Sequence, residues 1–321
     1  MNPKKKMNKE YILGIDTSNY KTSVAITDRD KNIICDLRKL LTVKQGERGL
    51  RQSDALFQHI ETFPALLKEA LIGDRNTNIC GVAYSDKPRQ IPGSYMPVFK
   101  AGESFAHTIS QALNIPIFSF SHQEGHIEAI KIGSPFEKMD KFLSYHLSGG
   151  TCELLKIGQS KINIIGGSKD ISFGQVIDRV GVALGMAFPA GEEMDQLALT
   201  ATKSTKVLKK ITVKDTWINL SGIETQCTRA SSMEDIDIQG LIRELFDRIS
   251  DSIVELTENA IQLTCIHNVM FTGGVASSKY IRGKIQLYFE KSSVNIHFGD
   301  PKLSQDNGVG IAFLGGDKLW G

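Results

Sequence analysis

Residues 142–157 read FLSYHLSGGTCELLKI: an apolar run, a turn of Ser148, Gly149, Gly150 and Thr151, and a second apolar run. Apolar runs of this length flanked by small residues predict β-strands. A strand that ends in glycine lets backbone N–H groups approach phosphate oxygens, although a single such turn is equally well a plain tight turn. Two other stretches share the pattern. GIDTSNYKTSVAI (14–26) sets two apolar runs around a short polar turn, and VMFTGGVASSKYIR (269–282) runs from a strand through Gly273 and Gly274 into a helix. The helix N-terminus behind that last turn adds a positive dipole end. Three such turns, in two halves of one chain, favour an α/β fold in which two duplicated lobes hold a nucleotide in the cleft between them.

The rest of the chain fits that frame. With 321 residues, 41% hydrophobic and 23% charged, it is long enough for two lobes with buried cores. Five scattered cysteines without a CxxC pair argue against a disulfide framework and for a reducing, cytoplasmic compartment. The start, MNPKKKMNKE, is basic, but the YILGIDTS after it is too short and polar for a signal-peptide core. No later run approaches membrane-spanning length, so no membrane partner is expected. A net charge of +2 is far from that of a domain that grips nucleic acid by charge alone. An RNA substrate would need a local basic patch or a partner protein.

Periodicity predicts helices over DALFQHIETFPALLKEALI, ESFAHTISQALN, GQVIDRVGVALG, EEMDQLALTAT and the long IDIQGLIRELFDRISDSIVELTENAIQLT, and a closing helix in DNGVGIAFLGG. NICGVAYSD and IPIFSFS read as strands, and INIIGGSKDIS as two short apolar runs around a turn. KPRQIPGSYMPVFKAG, punctuated by Pro88, Pro92, Gly93 and Pro97, reads as a structured loop. These elements predict a disordered tail over 1–10, an N-terminal lobe over 11–120 joined by the closing helix 306–321, and a C-terminal lobe over 121–305.

SHQEGHIEAI (121–130) carries His122 and His126 four positions apart. On a helix they share a face, and two neutral imidazoles there could hold one iron or zinc ion. Gln123 follows His122, so the glutamate of a zinc-protease HExxH motif is missing. From spacing alone, a pair of surface or capping histidines explains the segment as well.

The three glycine turns resemble those of the actin, sugar-kinase and acetate-kinase superfamily. Within it, the sequence resembles the TsaD/Gcp family, formerly labelled O-sialoglycoprotein endopeptidases and understood as tRNA N6-threonylcarbamoyladenosine transferases. The family's HxxxH pair, SGG turn, G-E-A-F-D-K helix, Y-P-G-G turn, GGV-A-N stretch and terminal DN correspond, in order, to HQEGH, LSGGT, GQVIDR, FPAG, FTGGVASS and QDNG. The resemblance implies that His122, His126 and Asp306 ligate a divalent metal, iron or zinc. It implies that ATP or threonylcarbamoyl-adenylate lies against Ser148, Gly149, Gly150 and Thr151. Asp178 would accept the ribose hydroxyls, Gly191, Gly273 and Gly274 would line the pocket, and Ser278 stands where the family has asparagine. His146 aligns with a metal-binding tyrosine of archaeal members and is a further candidate ligand; a plain strand histidine is the alternative. Asp178 could equally be a solvated helix residue, and Asp306 a helix cap. The ion would polarise the carbamoyl carbonyl or clamp phosphate while an acceptor amine attacks.

The same resemblance implies TsaB- and TsaE-like helper proteins, tRNA bound with partner help, and a homodimer as one allowed assembly. This chain departs from the pattern in three places. Ser18-Asn19-Tyr20-Lys21-Thr22 replaces S-C-D-E-T, KPRQIPGSYMPVF replaces a glycine-rich stretch, and Ser278 is shorter than asparagine. Lys21 could contact a phosphate or be an exposed turn lysine. A transferase is the expectation. A TsaD-like paralogue with an altered acceptor, or one that binds ATP and scaffolds a complex without chemistry, is the alternative, ahead of a small-molecule kinase or metallopeptidase.

Overall fold

In the computed structural model, which describes residues 9–18, 20–43, 50–73, 75, 78–158, 161–304 and 307–321, the chain divides into two units. One comprises residues 1–133 and 305–321, the other 134–304.

The first unit is built on β1 (Tyr11–Asp16), whose residues are all buried. A strand covered on both faces needs an unbroken apolar run, and YILGID supplies one up to its final carboxylate. Tyr11, Leu13 and Ile15 face one core, and Ile12 faces another. β1 turns back into β2 (Lys21–Asp28) and then β3 (Ile33–Leu40), both antiparallel. On its other side β1 pairs in parallel with β4 (Ile79–Lys87), which pairs in parallel with β5 (Ile117–Ser121). The order is β3-β2-β1-β4-β5. Helices α1 (Gln52–Ala70) and α2 (Phe99–Leu113) supply Phe63 and Ala106 to the core on the first face. The second face takes α9 (Val309–Trp320), whose Ile311 and Ala312 meet Ile12 and Ala83.

In the second unit a β6 (Lys141–Leu147), β7 (Cys152–Gly158), β8 (Lys161–Ser168) meander is again antiparallel. β11 (Asn268–Thr272) lies parallel to β6, and β12 (Asn295–Phe298) parallel to β11. The order β8-β7-β6-β11-β12 therefore repeats the first sheet strand for strand. A short hairpin of β9 (Val213–Lys214) and β10 (Trp217–Ile218) extends it at the β8 edge. The core packs α4 (Phe173–Ala183), α5 (Gly191–Thr200), α6 (Ser221–Ala230), the 27-residue α7 (Ile238–Thr264) and α8 (Lys279–Phe289) around Leu143, Tyr145 and Phe271.

One expectation fails instructively. INIIGGSKDIS is not two runs around a turn, because β8 continues through both glycines. A Cβ on Gly166 would lie 2.2 Å from the Thr216 carbonyl, and Gly167, at φ +132°, sits as close to the Cys152 carbonyl. The register shifts opposite them, between Leu154 and Leu155. The pair is a bulge that admits neighbouring strands, a use of glycine that composition does not separate from a turn. The five cysteines are free, and no helix among the described residues is long and apolar enough to cross a membrane. Residues 1–8 of the expected tail lie outside the described residues.

Candidate active site

In the first unit the histidine segment forms α3 (His122–Lys131). Ser121 caps it: its Oγ accepts from the Glu124 N–H, and the Glu124 carboxylate accepts from the Ser121 N–H at 2.7 Å. This reciprocal box fixes the first turn of the helix. His122 and His126 then share a face, with their Nε2 atoms 2.9 Å apart. The glycine between them serves a different end. A Cβ on Gly125 would fall 2.7 Å from the Ile311 side chain, and one on Gly310 1.8 Å from the Gly125 carbonyl. Only glycines allow α3 and α9 this close.

Behind His122 lies a residue that the sequence reading passed over. Asp16, the last residue of β1 and fully buried, has Oδ2 3.1 Å from His122 Nδ1. It accepts the Ser18 hydroxyl at 3.0 Å and, on Oδ1, the Ser85 hydroxyl at 2.5 Å. A carboxylate on Nδ1 leaves Nε2 to face outward, the arrangement that orients metal-binding histidines. The start of α9 enters the same neighbourhood: the Gly308 N–H donates to Ser23 Oγ at 2.8 Å. At the head of α9, Asn307 Oδ1 accepts from the Val309 and Gly310 N–H groups. Asp306 itself lies outside the described residues, as does Asn19 of the hairpin. Lys21 opens β2, opposite Leu40. The loop expected over 87–102 is shorter, residues 88–98, because Lys87 ends β4 and Phe99 opens α2. It is tied to α3, with the Gln123 N–H on the Pro88 carbonyl at 3.1 Å and Gln90 Nε2 on Glu124 at 2.6 Å.

In the second unit, β6 and β11 are parallel neighbours with His146 opposite Thr272. Their carboxyl ends therefore bring the turn at Ser148–Thr151 beside Gly273 and Gly274. Ligands of open α/β sheets sit at that end of the strands. Gly273 (φ +98°) lets the second turn lie against the Leu147 carbonyl, where a Cβ would stand at 2.3 Å. In contrast, Cβ atoms built on Gly149, Gly150, Gly191 and Gly274 meet nothing within 4 Å. These backbones border open space. The Ser148 turn closes on itself, the Thr151 N–H donating to Ser148 Oγ at 3.1 Å, and the Ser172 hydroxyl anchors it through the Gly149 carbonyl at 2.7 Å.

Asp178, on α4, is tied to the start of α5: it accepts the Ala190 N–H at 2.9 Å. Burial raises its carboxyl above the ordinary range, against the pull of the Ala190 and Gly191 N–H groups. Ser278 caps α8, accepting from the Ile281 N–H, and its hydroxyl donates to Asp195. Asp195 also takes the Lys279 and Tyr280 N–H groups, at 2.9 and 3.1 Å. This carboxylate at the head of α8 is a second residue that the sequence reading missed. Nothing in GEEMDQL, the stretch that carries it, points to a partner more than eighty residues away.

The family model for TsaD, tRNA N6-adenosine threonylcarbamoyltransferase, matches residues 41–313. The chain belongs to the TsaD family. A tRNA N6-adenosine threonylcarbamoyltransferase of Neorickettsia sennetsu is 24% identical over 322 residues, covering 98% of this chain and 95% of that protein. A "probable bifunctional tRNA threonylcarbamoyladenosine biosynthesis protein" of Methanothermobacter thermautotrophicus is 28% identical over 309 residues, or 94% of this chain. The TsaD-family chain spans only about half, 55%, of that relative's length. Among solved structures, HypF of T. kodakarensis superposes with TM-score 0.62 at 14% identity, covering 97% of this chain and 48% of that one. A ROK family glucokinase from Streptomyces griseus gives 0.53 at 11%, covering 95% and 99%. Identities this low establish the fold, the α/β actin-like and sugar-kinase architecture, and nothing of the chemistry.

For a metal, the donor set among the described residues of this TsaD-family chain is partial but chemically apt. Among the described residues no group of three or more His, Cys, Asp and Glu side chains is placed to hold an ion. Two imidazoles with facing Nε2 atoms, one backed by a buried carboxylate, suit iron or zinc.

Proposed function

We propose that the chain is a tRNA N6-adenosine threonylcarbamoyltransferase. The observation that carries the reading is the pairing of the Ser148–Thr151 and Gly273–Gly274 turns at the ends of β6 and β11, over glycines that border open space. Backbone N–H groups there would hold the phosphate of threonylcarbamoyl-adenylate or ATP. Asp178 would take the ribose hydroxyls, its carboxylate already oriented by the Ala190 N–H. Gly191 opens α5 beside it and leaves room for the sugar.

His122 and His126, with Asp306, would hold a divalent ion, iron or zinc; α9, which touches α3 at Gly125, begins three residues after Asp306. When bound, such an ion supplies a Lewis acid. Asp16 keeps His122 in the tautomer that can ligate it. The lobes proposed follow the two units, with α3 in the first rather than beyond a boundary at 120. The chain would work in the cytoplasm with TsaB- and TsaE-like helpers that supply the adenylate, and with tRNA bound in their presence.

The test supplies threonylcarbamoyl-adenylate, helper proteins and bulk tRNA and looks for N6-threonylcarbamoyladenosine by mass spectrometry. Product that disappears in His122→Ala/His126→Ala supports the reading, and no product from wild type removes it. Tyr20 and Lys21, where the family pattern has two acids, favour a second reading, a paralogue with another acceptor. In that case threonylcarbamoyl-adenylate is consumed and tRNA stays unmodified.

A further inference from the structure

Residues 203–214, KSTKVLKKITVK, hold five lysines and no acid. They form an extended strap across the second unit, and all five lysines are exposed. Two buried apolar residues, Leu208 and Ile211, anchor it in the core. Glu244 of α7 pins it from below, accepting the Thr205 hydroxyl at 2.7 Å and the Val207 and Leu208 N–H groups at 2.8 and 3.1 Å. Arg248 joins Glu244 at 2.9 Å and reaches the Leu208 carbonyl at 3.1 Å, while Gln226 accepts the Lys209 N–H at 2.8 Å. The lysines therefore stand on a backbone fixed before any ligand arrives.

Beside the strap runs a groove of about 510 Å³, within the same unit, between the β9–β10 hairpin and the first turn of α6. Lys169, Lys210 and Lys214 line it with Trp217, Asn219 and Gln226, and no carboxylate lines it among the described residues. Lys169 Nζ lies over the Trp217 ring, 5.5 Å from its centroid. Asp170, next in the chain, spends both carboxylate oxygens on the Leu220 and Ser221 N–H groups, at 2.8 and 2.9 Å. Lys210 pairs with the half-buried Glu255 at 2.7 Å. Lys169 and Lys214 pair with no carboxylate among the described residues.

We propose that this groove and strap are the surface on which the chain holds the phosphate backbone of an RNA, with Trp217 offering an indole for a base. The identity of that RNA as a tRNA rests on the function proposed above. The chemistry favours RNA over an acidic polypeptide. The groove is cationic and partly aromatic, with amide and hydroxyl groups along one wall, and base stacking on an aromatic ring beside a lysine track is the recurrent form of single-stranded recognition. It also answers the modest net charge of +2, since a rigid local patch grips phosphates that the whole-molecule field would not.

The test measures binding of a labelled tRNA transcript by fluorescence anisotropy across a salt series. Each phosphate contact contributes about 0.7 to 0.9 to the slope of log affinity against log salt. Lys169→Ala/Lys210→Ala/Lys214→Ala is therefore expected to flatten the slope by about 2 to 3 and to weaken binding by about tenfold or more at low salt. Trp217→Ala is expected to weaken binding with the slope unchanged. A control triple of exposed lysines elsewhere, Lys68→Ala/Lys141→Ala/Lys318→Ala, is expected to match wild type, and thermal melts check that every variant folds. Wild-type affinity and slope in the groove triple overturn the proposal, as does polyglutamate competing as well as tRNA at equal charge. Modified adenosine made by a groove triple that still binds normally sinks the groove and leaves the activity standing. Lysine-dependent binding without modified adenosine keeps the groove and removes the activity.

Discussion

Asp16 shows how much one side chain can organise. It is buried at the end of β1 and serves two hydroxyls and an imidazole that come from three places in the chain. Asp16→Ala would leave Ser85 and His122 without their acceptor at a buried site, which costs about 1–3 kcal/mol for each orphaned group. The expected outcome is a lower urea midpoint and, after dialysis against iron or zinc, less retained metal by mass spectrometry. Asp16→Glu, which keeps the charge and shifts the oxygens, is expected to recover part of the metal. A second residue-scale outcome concerns Gly125. Its Cβ would overlap Ile311, so Gly125→Ala forces α3 and α9 apart and is expected to destabilise by about 1–3 kcal/mol in the same measurement. Four-residue spacing predicted that His122 and His126 would share a face on a helix, and they do, but spacing does not say what they serve there. Asp16 was not legible in the sequence, since only Ser18 is local and its other partners lie 69 and 106 positions away.

Among the elements, the strap at 203–214 is held by a carboxylate whose titration can be followed. Burial works to raise the Glu244 carboxyl, but hydrogen bonds from Thr205, the Val207 and Leu208 N–H groups and Arg248 outweigh it and hold it below the ordinary value of 4.5. A depressed carboxyl contributes stability that is fully present above the unfolded value and is lost as pH falls through the lower folded one. Glu244→Gln should therefore lower the urea midpoint at pH 7, and the gap to wild type should shrink below about pH 4.5. An equal gap at pH 7 and pH 3.5 would mean that the ionised form is not what pins the strap. Long elements of regular period, such as α1 and α7, were legible because one buried stripe specifies them. The strands β3 and β12 were not. Both lie at sheet edges, with Asp36, Arg38 and Lys39 in one and only four residues in the other, and an edge strand is decided by its neighbour more than by its own pattern.

The whole chain repeats one strand order, β3-β2-β1-β4-β5 and β8-β7-β6-β11-β12, with a separate core in each unit. That duplication was readable from the glycine turns, because a strand-to-turn junction is written in consecutive residues. The closing helix was expected to join the first lobe, but its place beneath β1, with Ile311 and Ala312 against Ile12 and Ala83, is written in no local stretch, since it joins the two ends of the sequence. Two ligands assigned to two units make a prediction that neither makes alone. A ligand at a hundred times its dissociation constant stabilises the state that binds it by about 2.7 kcal/mol, roughly a hundredfold in local opening. In hydrogen exchange, iron or zinc is expected to slow amides at 121–127 of the first unit, and threonylcarbamoyl-adenylate or ATP those at 146–151 and 272–279 of the second. His122→Ala/His126→Ala should abolish the first protection and leave nucleotide protection in the second unit. Protection by nucleotide confined to α3, with none at the Ser148 and Gly273 turns, would move the adenylate off the ends of β6 and β11 and take the proposed chemistry with it.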